Sequence, residues 1–270
     1  MIKIEANWID LRYLDDLSTQ KTFIHSLHPG VKLLTTLFFV VAVTSFPKYE
    51  FAALLPFFFY PLAQISLGNL PWQHLLKRLL LVAPFVLFVG VFNPLLDRTP
   101  VAILGPLVLS GGWLSFFSIT LRLSLTVTAA LILVATTGVD GVCSGLLRLG
   151  VPRVLVVQIL FMYRYLHVLL EELIRCIQAY TLRSFHGESL RFQAWGSLLG
   201  QLLLRTLDRA QRIYQAMLCR GFDGEVPFSR KRTVQSRDVM YLFSWTAFFV
   251  LARCVNIPQW LGNLLAGVAR

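Results

Sequence analysis

The stretch that decides the architecture is LRFQAWGSLLGQLLLRTLDRAQRIYQAMLC, residues 190–219. Apolar residues recur in it at steps of three and four, and Gln, Asp and Arg fill the opposite side. This is the period of an amphipathic α-helix. Gly221, directly after Arg220, is a residue type that ends helices because it accepts a left-handed backbone. The positions predicted to pack are Trp195, Leu199, Leu203, Leu207, Tyr214 and Met217.

A second helix is predicted upstream, from Val154 to about Leu182, with Arg183 at its end. Its first residues are apolar, but five ionisable side chains follow between positions 164 and 175. One arginine at the centre of a span costs about 2.5–3.5 kcal/mol on insertion scales. We therefore expect a packed or interfacial helix here rather than a membrane span. The next helix holds a Gly196–Gly200 pair, whose spacing would allow another helix to cross closely.

The rest of the chain has the composition of a membrane protein. Hydrophobic residues make up 56% of the 270 positions and charged residues 14%, whereas soluble domains are about 45–50% apolar and about 25% charged. Apolar runs long enough to approach a membrane span cover residues 31–46, 51–67, 72–92, 113–135 and 239–255. We predict an all-α polytopic membrane protein with about five transmembrane helices.

Four regions follow from this pattern. They are a polar N-terminal arm (1–30), transmembrane helices 1–4 (31–138), a module of long amphipathic helices (139–237), and a C-terminal transmembrane helix and tail (238–270). The module holds 14 Lys and Arg against 7 Asp and Glu, most of the net charge of +11. Basic excess beside membrane spans favours the cytoplasmic side. Nucleic-acid binding is the rival explanation of the charge, but these basic residues follow amphipathic helices beside apolar spans.

Sequence patterns for catalysis and for metal or cofactor binding are missing. No glycine precedes a lysine, so there is no Walker-type phosphate loop, and neither a serine nucleophile elbow nor a zinc-protease pattern occurs. The four cysteines are 33, 43 and 35 residues apart, which suits no metal or redox site. We therefore predict no catalytic residue, no cofactor and no metal ligand.

Three charged or titratable features leave alternatives open. His25 and His28 could begin a helix, lie at the interface or hold a metal. Arg122 lies within a good span, where it could line a gating path, or could form structural hydrogen bonds or extend to the interface. Arg183 and Arg220 could simply offset the helix dipole, worth roughly 0.3–1 kcal/mol each, or could anchor a partner through charge-assisted hydrogen bonds.

Several motifs resemble one family, the cobalt/nickel CbiQ type of energy-coupling-factor (ECF) transporter T component. The resemblance covers nearly the whole chain from Pro29 and is densest between about 135 and 227. The motifs are LGVPR (149–153), FMYRY (161–165), EE (171–172), GSLLG (196–200), LR (204–205) and QAMLCRGFDG (215–224).

The resemblance implies a non-catalytic scaffold in the bacterial plasma membrane. Such a subunit joins two ABC-type ATPase subunits to a small membrane protein that captures the substrate, and ATP is hydrolysed in the partners. Its two coupling helices end in Ala-Arg-Gly-like motifs that dock on the ATPases. Carried onto this chain, the docking residues are Leu182, Arg183, Ser184, Cys219, Arg220 and Gly221.

Two departures from the family pattern stand out. Leu182 and Ser184 flank the first arginine, and Cys219 precedes the second, although both arginines are in place. The family's Asp-Pro-Arg opening appears here as His28-Pro29-Gly30, followed by Lys32. The alternatives are a self-sufficient secondary transporter, which would need polar residues in its spans, and a membrane-embedded enzyme. The sequence does not distinguish cobalt from nickel.

Overall fold

A computed structural model describes residues 17–20, 22–47, 51–96, 100–104, 107–183, 192–224 and 233–254. The helices are α1 (Phe23–Ser26), α2 (Pro29–Thr44), α3 (Phe59–Gly68), α4 (Trp72–Leu96), α5 (Gly111–Arg148), α6 (Arg153–Arg183), α7 (Phe192–Leu218) and α8 (Ser236–Cys254). A 3₁₀ helix, Ala52–Phe58, leads into α3. The all-α prediction is confirmed, with one small addition: an antiparallel hairpin of β1 (Pro100–Leu104) and β2 (Leu107–Ser110).

The chain divides into two compact units, and the division falls between Gly138 and Val139. The membrane unit contains the described residues up to Gly138 together with those of α8. The helical unit contains the end of α5, then α6 and α7. Residues of the predicted arm take part in the membrane unit, because Leu17, Ile24 and Leu27 are buried.

Three helices are long and apolar enough to cross a membrane: Trp72–Phe92 within α4, Gly111–Arg148 and Arg153–Arg183. The third qualifies by length and composition alone, which leaves our expectation of a packed or interfacial helix as a prediction. Glu171, Glu172 and Arg175 lie in its second half, so an 18-residue window with at most two charged residues remains, and only 11% of that window is buried. Pro29–Thr44 and Ala53–Gly68 are shorter apolar helices. In α8, Arg237, Asp238 and Arg253 lie near the two ends and interrupt the apolar run.

An aromatic cluster forms the core of the membrane unit. Phe39 of α2 stacks on Tyr60 of α3 with ring centroids 4.6 Å apart, and it lies 5.5 Å from the ring of Phe249 in α8. Phe57 from the 3₁₀ helix and Leu125 from α5 are fully or almost fully buried in the same cluster. Because large rings bury much apolar area each, this cluster joins α2, α3, α5 and α8.

Polar contacts secure both ends of α2 against α8. At the first end, the His28 backbone amide donates to Asp238 Oδ1 at 3.0 Å, and His28 Nδ1 caps α2 by accepting from the Gly30 amide at 3.1 Å. At the other end, Arg253 donates to the Ser45 carbonyl at 3.2 Å. The two helices therefore run parallel. The capping contact favours the helix-start role of His28 over a metal site.

Arg122 of α5 also reaches the far end of α2. Its guanidinium donates to the Pro47 carbonyl at 2.5 Å and to Ser118 Oγ at 3.2 Å. Cations near a helix C-terminus satisfy carbonyls that no longer have a partner within the helix. These contacts support the structural alternative for Arg122 over a gating role.

Replacing Asp238 tests the junction of α2 and α8. The buried carboxylate accepts a hydrogen bond from the His28 amide through Oδ1. Through Oδ2 it accepts one from the Gln235 amide at 2.9 Å, as the N3 side chain of a capping box does. Asp238→Ala removes both acceptors and should lower the free energy of unfolding in detergent by about 2–3 kcal/mol. Asp238→Asn keeps one acceptor oxygen and should lose less. Equal stability of the alanine variant and the wild type would contradict this assignment.

His25 predicts a pH dependence of stability. Burial, followed by the charge of Lys32, lowers the pKa of His25 below its ordinary value of 6.5. The unfolded chain then binds the proton more tightly than the folded chain does. The contribution of His25 to the free energy of unfolding is therefore fully present above about pH 6.5, and it is lost as the pH drops below that value. Melting curves between about pH 7.5 and 5 should show this loss, and His25→Gln should flatten it; an unchanged slope in the variant would oppose the idea.

Candidate functional site

The first predicted arginine lies at the end of α6. Arg183 is the last residue of the helix and is exposed, and the preceding Leu182 is 87% exposed. Ser184 lies outside the described residues. A large apolar side chain so exposed beside a cation gives this helix end both apolar area and charge, the two components of helix-in-groove recognition.

The second predicted arginine follows α7 within a defined turn. The Phe222 amide donates to the Met217 carbonyl and the Gly221 amide to the Leu218 carbonyl, both at 3.0 Å. This pair of bonds is a Schellman motif, and Gly221 supplies its left-handed residue with φ of 80°. Arg220 and Cys219 are exposed in the turn. The backbone that presents Arg220 is therefore fixed by hydrogen bonds.

An ion pair joins α6 and α7. Arg205 Nη1 lies 2.9 Å from Glu172 Oε1, and Arg175 lies 3.7 Å from the other oxygen of the same carboxylate. The two arginines are exposed, so the pair is screened by water and contributes at most about 1 kcal/mol. The ion pair does show where the two helices approach each other.

A groove of about 830 Å³ lies between α6 and α7 beyond this ion pair. Its lining residues are mainly apolar or aromatic and come from the first half of α6 and the second half of α7 and its turn. They include Phe161, Tyr165 and Leu169 of α6 and Ala210, Ile213 and Phe222 from α7 and its turn. Because the beginning of α6 faces the end of α7, the helices run in roughly opposite directions.

This geometry separates the two arginines. Arg183 lies 11 residues beyond Glu172, and Arg220 lies 15 residues beyond Arg205 in the opposite direction. At 1.5 Å per residue, the arginines are on the order of 40 Å apart. The helical unit therefore presents two cationic tips at its two ends rather than one combined basic patch.

The residues predicted to pack divide into two groups. Leu207, Tyr214 and Met217 line the groove, where Leu207 and Tyr214 remain 53% and 56% exposed, and Trp195 is half-buried. Leu199 is 50% and Leu203 60% exposed, so they present an apolar face that neither α6 nor α7 covers. An added Cβ at Gly196 or Gly200 would meet no atom within 4 Å, so no helix crosses closely there among the described residues.

Sequence reasoning missed the contribution of α6 to the groove. Val154, Val157, Phe161, Tyr165 and Val168 recur at steps of three and four, which is the signal of an apolar helix face. The charged residues of the second half of α6 drew attention away from this stripe. Within the described part of the chain, no group of three or more His, Cys, Asp or Glu is placed to hold a metal ion.

Comparison with known proteins identifies the family. The profile of the CbiQ family, described as cobalt transport protein, matches residues 20–232. The chain belongs to the CbiQ family. Several long apolar helices together with this membership make it a multi-pass membrane protein, consistent with a bacterial plasma membrane. The family also indicates a membrane component of transport rather than an enzyme.

The individual relatives share less than a third of the aligned residues with this chain. An uncharacterized protein of Methanocaldococcus jannaschii is 24% identical over 232 residues, 81% of this chain and 78% of the relative. Nickel permease LarQ of Lactiplantibacillus plantarum is 30% identical over 107 residues, 40% of this chain and 39% of that one. Cobalt transport protein CbiQ of Rhodobacter capsulatus is 31% identical over 121 residues, 44% of this chain and 50% of the relative. The chain thus spans half or less of the two relatives named for a metal.

The turn after α7 can be tested by substitution. Alanine at Gly221 would have to adopt a left-handed backbone, which costs roughly 1–2 kcal/mol. We expect Gly221→Ala to speed hydrogen exchange at the Gly221 and Phe222 amides. Gly200→Ala is the matched control, because it replaces an exposed helical glycine and should stabilise α7 by about 0.5–1 kcal/mol. Similar exchange in the two variants would contradict the role of the Schellman motif.

Proposed function

We propose that this chain is the transmembrane coupling (T) subunit of an ECF-type importer for cobalt or nickel ions. In this role it transmits ATP-driven motion from two ATPase subunits to a membrane subunit that captures the metal. ATP is hydrolysed in the partners, and this chain performs no chemistry. The observation that carries the proposal is the pair of exposed arginines, Arg183 and Arg220, at opposite ends of the α6–α7 pair.

Two separated tips suit a partner with two equivalent sites. A pair of ATPase subunits would offer one groove to each helix end. In each groove, the apolar neighbours would supply buried area and the arginine a charge-assisted hydrogen bond to a carboxylate or backbone carbonyl. At the first tip the apolar neighbour is Leu182, 87% exposed. At the second tip, backbone hydrogen bonds already fix the turn that carries Arg220, so docking would cost little backbone entropy there.

The α6–α7 pair would transmit the motion. When ATP binding closes the two ATPases, the docked tips move toward each other. A continuous helix resists bending, so displacement of a tip reaches the crossing point marked by Glu172 and Arg205. The exposed apolar face at Leu199 and Leu203 and the groove would then present moving apolar surface to the capturing subunit, which tilts between outward and inward states.

The choice between cobalt and nickel rests on the partners. Two relatives of this chain are named for nickel and for cobalt, respectively. In this proposal the capturing subunit recognises the cargo. Uptake measured with each cation, in cells that also carry the neighbouring transport genes, would assign the cargo.

Charge reversal of the two tips tests the proposal. Arg183→Glu or Arg220→Glu places a carboxylate where a cation should dock, and the double variant should abolish ATPase co-purification and metal uptake. Membrane insertion should remain. Arg212→Glu is the matched control, because it reverses another exposed arginine of α7, eight residues before Arg220, and it should retain both activities.

Two results would count against the coupling role. One is normal ATPase co-purification and metal uptake by the double variant. The other is uptake of cobalt or nickel by the purified chain alone in liposomes, which would favour the self-sufficient secondary transporter.

A further inference from the structure

Helix α5 is broken at one residue. Gly138 has φ of 67° and ψ of 163°, within an otherwise helical run of 38 residues. This backbone region is essentially restricted to glycine. Space is also tight there, because an added Cβ would lie 3.0 Å from Ser18 Oγ and 3.3 Å from Ser18 Cβ, and the Ser18 side chain would have to shift by a few tenths of an ångström. The backbone conformation therefore requires glycine at this position, and the limited space favours it.

A buried ammonium holds the helix just before the break. Lys32 Nζ of α2 donates to the Thr136 carbonyl at 3.0 Å, and Lys32 is only 5% exposed. In an unbroken helix the Thr136 carbonyl would point toward the Asp140 amide. A cation at the end of a helical segment is favoured by the helix dipole. Because α2 is anchored to α8 through His28 and Asp238, Lys32 ties the end of this segment of α5 to the other helices of the membrane unit.

The break coincides with the boundary between the two compact units. Within α5, the residues up to Gly138 belong to the membrane unit and those from Val139 belong to the helical unit. Three separate observations thus meet within three residues: a glycine-only backbone, a buried cation on the Thr136 carbonyl, and a change of unit. Hinges consist of a few residues that absorb a change in φ and ψ, and glycine does so at low steric cost.

We propose that Gly138 is the hinge about which the helical unit moves and that Lys32 is the positioning residue that confines the motion to it. With Lys32 in place, the segment of α5 up to Thr136 stays fixed to α2, and rotation is limited to the glycine. Without the ammonium, the last turn before Gly138 would loosen, and motion from the helical unit would be lost in that turn. The inference rests on the proposed coupling function for its purpose.

Distance measurements on the full chain in lipid nanodiscs test the hinge without any ATPase. Spin labels at Thr44→Cys in the membrane unit and Gln201→Cys in the helical unit, both exposed positions, would report the separation by pulsed electron spin resonance. The background variant carries alanine at the four native cysteines. We expect Lys32→Met to at least double the width of the distance distribution and Lys32→Arg, which retains a cation, to restore it.

Gly138→Ala should shift or narrow the same distribution. The matched control is Gly150→Ala, which replaces another glycine of positive φ (89°), in open space within the helical unit, and it should leave the distribution unchanged. If Gly138→Ala fails to fold, the lysine variants decide the question. A distribution in Lys32→Met that equals the wild type would overturn the proposal, as would equal widths in the methionine and arginine variants.

The outcome is independent of the docking test. A hinge confirmed in the isolated chain, together with normal ATPase binding by the reversed tips, would refute the coupling function and leave the hinge standing. Loss of ATPase binding by the reversed tips would support the coupling function, and an unchanged distance distribution in Lys32→Met would at the same time overturn the hinge.

Discussion

Backbone polar groups inside a bilayer must find partners within the protein, because hydrocarbon offers none. Helix ends are where this constraint is hardest to meet, since each leaves up to four amides or carbonyls without a partner in the helix. The chain meets it with side chains from neighbouring helices. His28 and Asp238 satisfy amides at the starts of α2 and α8, and Arg122 and Arg253 satisfy carbonyls after the end of α2. Helix-end chemistry therefore also fixes which helices are neighbours.

The two compact units are stabilised by different means. The membrane unit has interlocking rings, and Phe39, Phe57, Tyr60 and Phe249 are at most 3% exposed. The helical unit has few fully buried residues, among them Val156 and Ile177. It depends on the regularity of two long helices and on a turn closed by hydrogen bonds. A close-packed core keeps one arrangement, whereas long helices with a groove between them can change their spacing at lower cost.

Periodicity was sufficient to predict the all-α membrane class, the amphipathic α7 and its end at Gly221, because these follow from spacing and turn chemistry within one segment. It did not predict that the first half of Arg153–Arg183 lines a groove, since the charged residues that follow drew attention away from the apolar stripe there. The partners of Lys32 and Asp238 could not be predicted either. Their contacts join residues 104 and 210 positions apart, and no local pattern carries such information.

The groove between α6 and α7 has a practical consequence for handling the isolated chain. A concave apolar surface of this size is a favourable place for alkyl chains, because moving them out of water releases free energy in proportion to the area covered. Detergent tails can therefore occupy it in the purified chain. The surfactant chosen for purification therefore acts as a ligand of the groove. A surfactant with a short alkyl tail would fill the space between the two helices less completely than one with a long tail.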